Sequence, residues 1–157
     1  MYIPSTASYY SINATSLSEA ITVNKQITIV LDGELRGTTF VNQASPPFIM
    51  NVTADNVVIK GKGTFKGDGT VIQTGSDNTY ITGLLRIDAS NVIIDGLNFI
   101  QSPQAAIFAN SGSNNVTVTN SIFKGYATTT GGGTNYYQVF FNVTSYGAIV
   151  SHNRFLE

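Results

Sequence analysis

Four stretches of this chain align with one another. They are Pro47 to Phe65, Gly83 to Phe99, Ala105 to Phe123 and Gln138 to Phe155. Each opens with a short apolar strand, turns at a polar corner, continues as an alternating strand, and reaches an aromatic residue after a second corner. The first corner carries Asn56, Asn91 and Asn115 in three of the units and Gly147 in the fourth. Asn91 to Phe99, Asn115 to Phe123 and Gly147 to Phe155 are each eight residues apart, whereas Asn56 to Phe65 is nine. The extra residue predicts a bulge near Gly61 or Gly63.

A unit of this kind cannot bury its apolar face alone and must stack on its neighbours. Strand alternation sends every second side chain inward. Val57, Val92, Val116 and Ala148 then form one predicted core column, and Ile59, Ile94, Val118 and Val150 a second. Phe65, Phe99, Phe123 and Phe155 form a third. The corner asparagines suit a left-handed backbone, and their amides can bond to the same residue one coil away. A β-sandwich would show similar alternation, but it needs tight hairpin turns between matched strands. Asp-Gly does occur at 32–33, 68–69 and 95–96, yet the recurring strand, Asn, strand, Phe order favours the solenoid. The expected fold is all-β: a right-handed parallel β-helix of about 5–6 coils in one domain spanning residues 1–157.

A solenoid exposes its end coils and needs caps. Ser16-Leu-Ser-Glu19-Ala-Ile reads as a capping box and predicts a short helix over about 16–22 that covers the first coil. Ile27 to Leu31 is the first predicted core strand, and Glu34 to Arg36 continues its coil. After Phe155 the repeat runs out with no capping segment. The first expectation is a helix cut short on that side; the alternatives are a second chain over the open end, or residues 126–137 folded back across it. Two segments interrupt the repeat, 66–82 and 126–137, and both read as loops protruding from the stack.

Charged residues make up 11% of the chain, against a usual share of about a quarter. Ser, Thr, Asn and Gly fill the difference, a composition common in secreted β-rich proteins and on virion surfaces. The net charge is −1 and the basic residues are scattered, which excludes a nucleic-acid stripe and a polybasic membrane anchor. No apolar run reaches the roughly 20 residues of a transmembrane helix. Met1 to Ser11 shows no secretion signal. Cysteine is absent, so disulfides, thiolate metal sites and Cys nucleophiles are excluded. Asn13, Asn51, Asn115 and Asn142 begin Asn-x-Thr sequons and are candidate glycosylation sites.

The candidate binding residues fall into three groups. Lys60 and Asp95 lie in an outward column with Thr119 and Ser151, and are expected as a surface ion pair or as part of a polar ladder facing a sugar chain. Arg86, Asp88 and Lys124 sit near strand ends and can line a groove. Tyr126, Tyr136 and Tyr137 flank the Gly-Thr segment and can stack on sugar rings or pin the segment down. His152 is the sole histidine and is read as a corner residue, not a metal ligand. Val58, Ile93, Thr117 and Ile149 form an outward column that would be an apolar stripe if bare, so a loop or another chain is expected to cover it.

Ser16-Leu-Ser-Glu-Ala-Ile followed by Ile27-Thr-Ile-Val-Leu-Asp-Gly-Glu-Leu resembles the cap helix and first coil of the pectate lyase-like superfamily. Asn56-Val-Val-Ile-Lys-Gly-Lys-Gly, Asn91-Val-Ile-Ile-Asp-Gly-Leu-Asn-Phe and Val150-Ser-His-Asn-Arg-Phe resemble its successive coils. The resemblance covers 16–155 and is specific for fold and weak for chemistry. It implies a polysaccharide partner and, for a lyase, calcium held by carboxylates on consecutive coils, with a downstream Arg or Lys as base. In that register the acidic ligands would fall near Gln104 to Ala106 and near Tyr136 and Phe140, none of them acidic, and the base would lie beyond Glu157. The clustered aspartates of a polygalacturonase-type site are also missing. The expectation is a carbohydrate-associated β-helix, secreted or on a virion surface, catalytically incomplete, with no cofactor and no assigned catalytic residue. The competing expectation is a structural module that self-associates through its C-terminal coil.

Overall fold

The computed structural model describes residues 1–5, 10–12, 20–37, 40–42, 47–67, 71–73, 81–126, 129–130, 137–142 and 144–157. Its strands follow one another coil by coil. The first coil holds β1 (Tyr2–Ile3) and β2 (Tyr10–Ile12). The second holds β3 (Ile21–Val23), β4 (Thr28–Leu31), β5 (Glu34–Gly37) and β6 (Phe40–Asn42). The third holds β7 (Phe48–Val52), β8 (Val58–Gly61), β9 (Thr64–Gly67) and β10 (Val71–Gln73). Then come β11 (Gly83–Ile87), β12 (Ile93–Asp95) and β13 (Asn98–Ser102). After them come β14 (Ala105–Ala109), β15 (Thr117–Thr119), β16 (Ile122–Tyr126) and β17 (Thr129–Thr130), and finally β18 (Tyr137–Phe141), β19 (Ile149–Ser151) and β20 (Arg154–Leu156).

Corresponding strands pair in parallel and build three long sheets. Sheet 1 is β3-β7-β11-β14-β18, sheet 2 is β1-β4-β8-β12-β15-β19, and sheet 3 is β2-β5-β9-β13-β16-β20. The molecule is therefore a parallel β-helix. Register confirms the predicted columns: Ile59, Ile94, Val118 and Val150 are partners in sheet 2, and Phe65, Phe99, Phe123 and Phe155 in sheet 3. The four rings stack at 5.3, 5.0 and 5.0 Å with interplanar angles of 6°, 6° and 12°. Each coil thus buries the apolar face of the one before it, about 4.8 Å away.

The corners explain why asparagine recurs. Asn56, Asn91 and Asn115 have φ of 59°, 56° and 54°, and Gly147 has 67°. A left-handed residue is needed where sheet 1 turns into sheet 2, and Asn tolerates it far better than a branched residue does. The next corner repeats the requirement with Gly61, Gly96, Asn120 and His152. The lone histidine is thus an exposed corner residue at φ 55°. The longer corner Gly61-Lys62-Gly63 accommodates the extra residue of its unit, and the Gly63 amide donates to the Leu31 carbonyl.

Three expectations change. The helix over 16–22 is not found: residues 16–19 lie outside the described residues, and Ile21, Thr22 and Val23 pair with Met50, Asn51 and Val52 as a strand. Pairing to β7 takes Ile21 and Thr22 out of the predicted helix, because it buries Val23 and packs Ile21 against the core. The two interrupting segments also contribute strands: β10 and β17 pair with each other, β10 pairs with β6, and the three form a fourth parallel sheet beside the stack. Third, the core columns open at the last coil. Ala148 is exposed, and Val150 and Phe155 are 44% and 55% exposed, while Val118 and Phe123 one coil earlier are fully buried.

Candidate functional site

Sheet 1 carries a second apolar cluster on its outer face. Phe48 leans over Gly83, where a Cβ would lie 2.5 Å from the Phe48 ring, and stacks on Phe108 at 6.0 Å. Phe108 in turn stacks on Phe140 at 5.5 Å. Arg86 lies against this cluster, its guanidinium carbon 5.9 Å from the Phe48 ring centre and 5.7 Å from that of Phe108. Its Nε donates to both Asp88 oxygens, at 3.0 and 2.8 Å, and the Asn110 amide donates to Asp88 Oδ1 at 2.8 Å. Arg86 and Asp88 are thus a structural pair, 17% and 23% exposed, bracing aromatic packing. Tyr137 leaves the same face and packs on Phe140 at 4.8 Å. Tyr136 lies outside the described residues.

Lys60 and Asp95 are register neighbours in sheet 2. Asp95 Oδ1 nevertheless accepts from the Asn120 amide at 2.8 Å, and among the described residues no ion pair joins it to Lys60. The column continues to Thr119 and Ser151, whose hydroxyls are 3.2 Å apart. In the neighbouring column Val58 is half-buried, but Ile93 and Ile149 are 40% and 54% exposed. The two isoleucines of this column are thus open to solvent among the described residues.

Lys124 and Tyr126 are the predicted residues that share a groove, and it lies on sheet 3. Register sets Arg36, Lys66, Ile100, Lys124 and Leu156 in one outward column. At the groove edge the strands kink: Gln101 and Gly125 both have positive φ, 53° and 62°, and pairing resumes with Ser102 against Tyr126. Gly67 sits at the same level, where a Cβ would meet the Gln101 carbonyl oxygen at 2.2 Å. The kink carries the 42% exposed Tyr126 ring to the rim. The groove has a volume of about 510 Å³ and is lined by Glu34, Lys66, Ile100, Gln101, Lys124, Gly125, Tyr126 and Glu157. Arg36 is held by Glu34, whose Oε1 accepts from Nε at 2.9 Å and Nη2 at 2.6 Å.

The seven candidate binding residues that are described therefore divide among three faces. Reading along the units from the corner asparagine found the columns of sheet 2 and the inward phenylalanine column of sheet 3. The groove residues Lys66 and Ile100 were missed, although each directly follows the inward residue of sheet 3, Phe65 or Phe99. The position after the aromatic was the signal.

The sequons are placed unequally. Asn51 is 7% exposed, its Oδ1 buried without a hydrogen-bond partner, and a glycan there has no exit. Asn115 is exposed, with its amide tied to Asn91. Asn142 is half-buried, and Asn13 lies outside the described residues.

The positions a lyase would use for calcium do not fit the ion. Gln104 Oε1 is buried and accepts from the Thr82 backbone amide at 3.0 Å and its hydroxyl at 3.2 Å. Ala106 is fully buried, and Phe140 belongs to the aromatic stack. Hard cations need several oxygen ligands, which this set does not supply. Among the described residues no group of three or more His, Cys, Asp or Glu gathers elsewhere. Comparison with protein-family models, with curated proteins and with solved structures gives no match.

Proposed function

We propose that this chain is a polysaccharide-binding parallel β-helix of the pectate lyase-like type, acting outside the cell or on a virion surface, and that it binds without cleaving. The observation that carries the reading is the sheet 3 groove. It draws its lining from successive coils and combines the exposed Tyr126 and Ile100 with the charged groups of Glu34, Lys66, Lys124 and Glu157. An aromatic face beside hydrogen-bonding groups is the usual arrangement for holding a sugar ring, because the ring offers C–H on one face and hydroxyls around its edge. The test is retention of the chain on insoluble polysaccharides and on a glycan array. Retention lost on Tyr126→Ala supports the reading; no retention on any glycan overturns it. Unsaturated-uronide absorbance on pectin with calcium present is expected to stay at background.

A second reading rests on the C-terminal coil. Ile149, Val150, Phe155 and Leu156 are 54%, 44%, 55% and 39% exposed, and Val150 and Phe155 continue columns that are buried in earlier coils. This face suits assembly with another chain, and its test is association in solution.

A further inference from the structure

We infer that the polymer held on sheet 3 is an uncharged polysaccharide; this rests on the carbohydrate-binding reading above and narrows its ligand. The groove lining holds two ammonium groups, Lys66 and Lys124, and two carboxylates, Glu34 and Glu157. Arg36, the further cation of the outward column, is bonded to Glu34 through two of its nitrogens. The cations are also not continuous. Lys66 and Lys124 are separated by Ile100, and the column ends in Leu156. With strands about 4.8 Å apart, the two ammonium groups stand roughly two coils from each other. A polymer bearing a carboxylate on every sugar would place one anion on Ile100 and another beside Glu157, and would meet at Glu34 and Arg36 a pair already satisfied by each other. Those contacts desolvate a charge without a counter-charge, or set like charges together, and both disfavour binding.

An uncharged chain meets the same surface differently. Its rings can lie on Ile100 and Tyr126, and its hydroxyls both donate and accept, so ammonium groups and carboxylates both serve them. The net charge of −1 over the whole chain adds no long-range attraction for a polyanion.

The experiment titrates the full chain with uncharged hexasaccharides (gluco-, manno- and xylo-configured) and with hexagalacturonate, by calorimetry, at about 20 and about 500 mM NaCl. At least one uncharged hexasaccharide is expected to bind about tenfold or more tighter than hexagalacturonate, with an affinity that changes less than about twofold between the two salts. Tyr126→Ala, checked for an unchanged melting temperature, is expected to weaken it about tenfold or more. Tighter binding of hexagalacturonate, lost at high salt, overturns the inference and leaves the carbohydrate-binding reading standing. Absence of binding by every oligosaccharide overturns both.

Discussion

The Asn115 side-chain amide donates to the Asn91 Oδ1 at 3.1 Å, across two coils whose corner residues share the left-handed backbone. The ladder continues in altered form. At Gly147 a Cβ would lie 2.3 Å from Asn115 Oδ1, so the last described rung has room only for glycine. Two terms are therefore separable at Asn91. Ala in the left-handed region costs about 1–2 kcal/mol, and the lost hydrogen bond adds about 1 kcal/mol. Asn91→Ala is expected to destabilise by about 2–3 kcal/mol and Asn91→Gly by about 1 kcal/mol, since glycine keeps the backbone and loses only the ladder. Urea unfolding of the two variants checks the order; equal losses would show that the backbone conformation contributes nothing.

Phe99 lies between Phe65 and Phe123 with no exposed surface, whereas Phe155 has a ring on one side and is 55% exposed. Phe99→Ala leaves a cavity inside the stack and is expected to cost about 3–5 kcal/mol. Phe155→Ala is expected to cost about 1 kcal/mol or less, because half of its transfer term is never gained. Thermal melts of the two variants measure the difference directly.

Arg86 and Asp88 are mostly buried, and the guanidinium rests against two aromatic rings. Removing one partner strands the other at a site with little water. Fully buried pairs lose about 3–5 kcal/mol in this way and exposed ones about 0–1, so the residual exposure here sets the expectation near 1–2 kcal/mol for Asp88→Asn. Arg86→Met keeps the aliphatic packing and is expected to lose less when combined with Asp88→Leu than the sum of the single changes. A double-mutant cycle in urea reads that coupling.

The fold was legible because its constraints are local and recur. Asn at a left-handed corner, alternation on either side of it and a phenylalanine eight residues on are all printed in one unit, and Asn91 with Phe99 shows every element. What escaped depends on partners distant in the chain. Ser16 and Glu19 carry a helix-start pattern, but Ile21 to Val23 answer to Met50 to Val52, about thirty residues on. Val71 and Ile72 sit in a Gly- and Thr-rich stretch and become a strand through Phe40, Val41, Thr129 and Thr130. The site divided for the same reason: Lys60, Arg86 and Lys124 are equally polar in sequence, and only the coil geometry assigns them to three different sheets.

Calcium should leave the molecule unchanged. A ligand that binds the native state raises stability by RT ln(1 + [L]/Kd), so even a weak site with Kd near 1 mM would show at about 10 mM calcium as roughly 1.4 kcal/mol. Gln104 is occupied by Thr82 and Phe140 by its aromatic neighbours, so no such gain is expected. Melting temperatures in about 10 mM calcium and in excess chelator should agree within about 1 °C. A calcium-dependent rise would reveal oxygen ligands that these positions do not supply.

The last coil provides the final test. Phe155 stacks on Phe123 at 5.0 Å with its other face open, and Val150 is nearly half exposed beside it. Three parallel edge strands, β18, β19 and β20, end the sheets there and leave backbone groups that another strand can pair. Apolar surface and unpaired edges act together, so association is expected to rise with protein concentration in sedimentation velocity. Replacing both residues, Val150→Lys with Phe155→Glu, puts charge where a partner coil would need apolar contact. The double variant is expected to sediment as a monomer at concentrations where the parent associates, with a melting temperature lowered by no more than a few degrees, since neither side chain completes a buried column. A parent that remains monomeric at every concentration would remove the assembly reading, and a variant that associates as before would move the contact away from this coil, toward the Ile93 stripe on sheet 2.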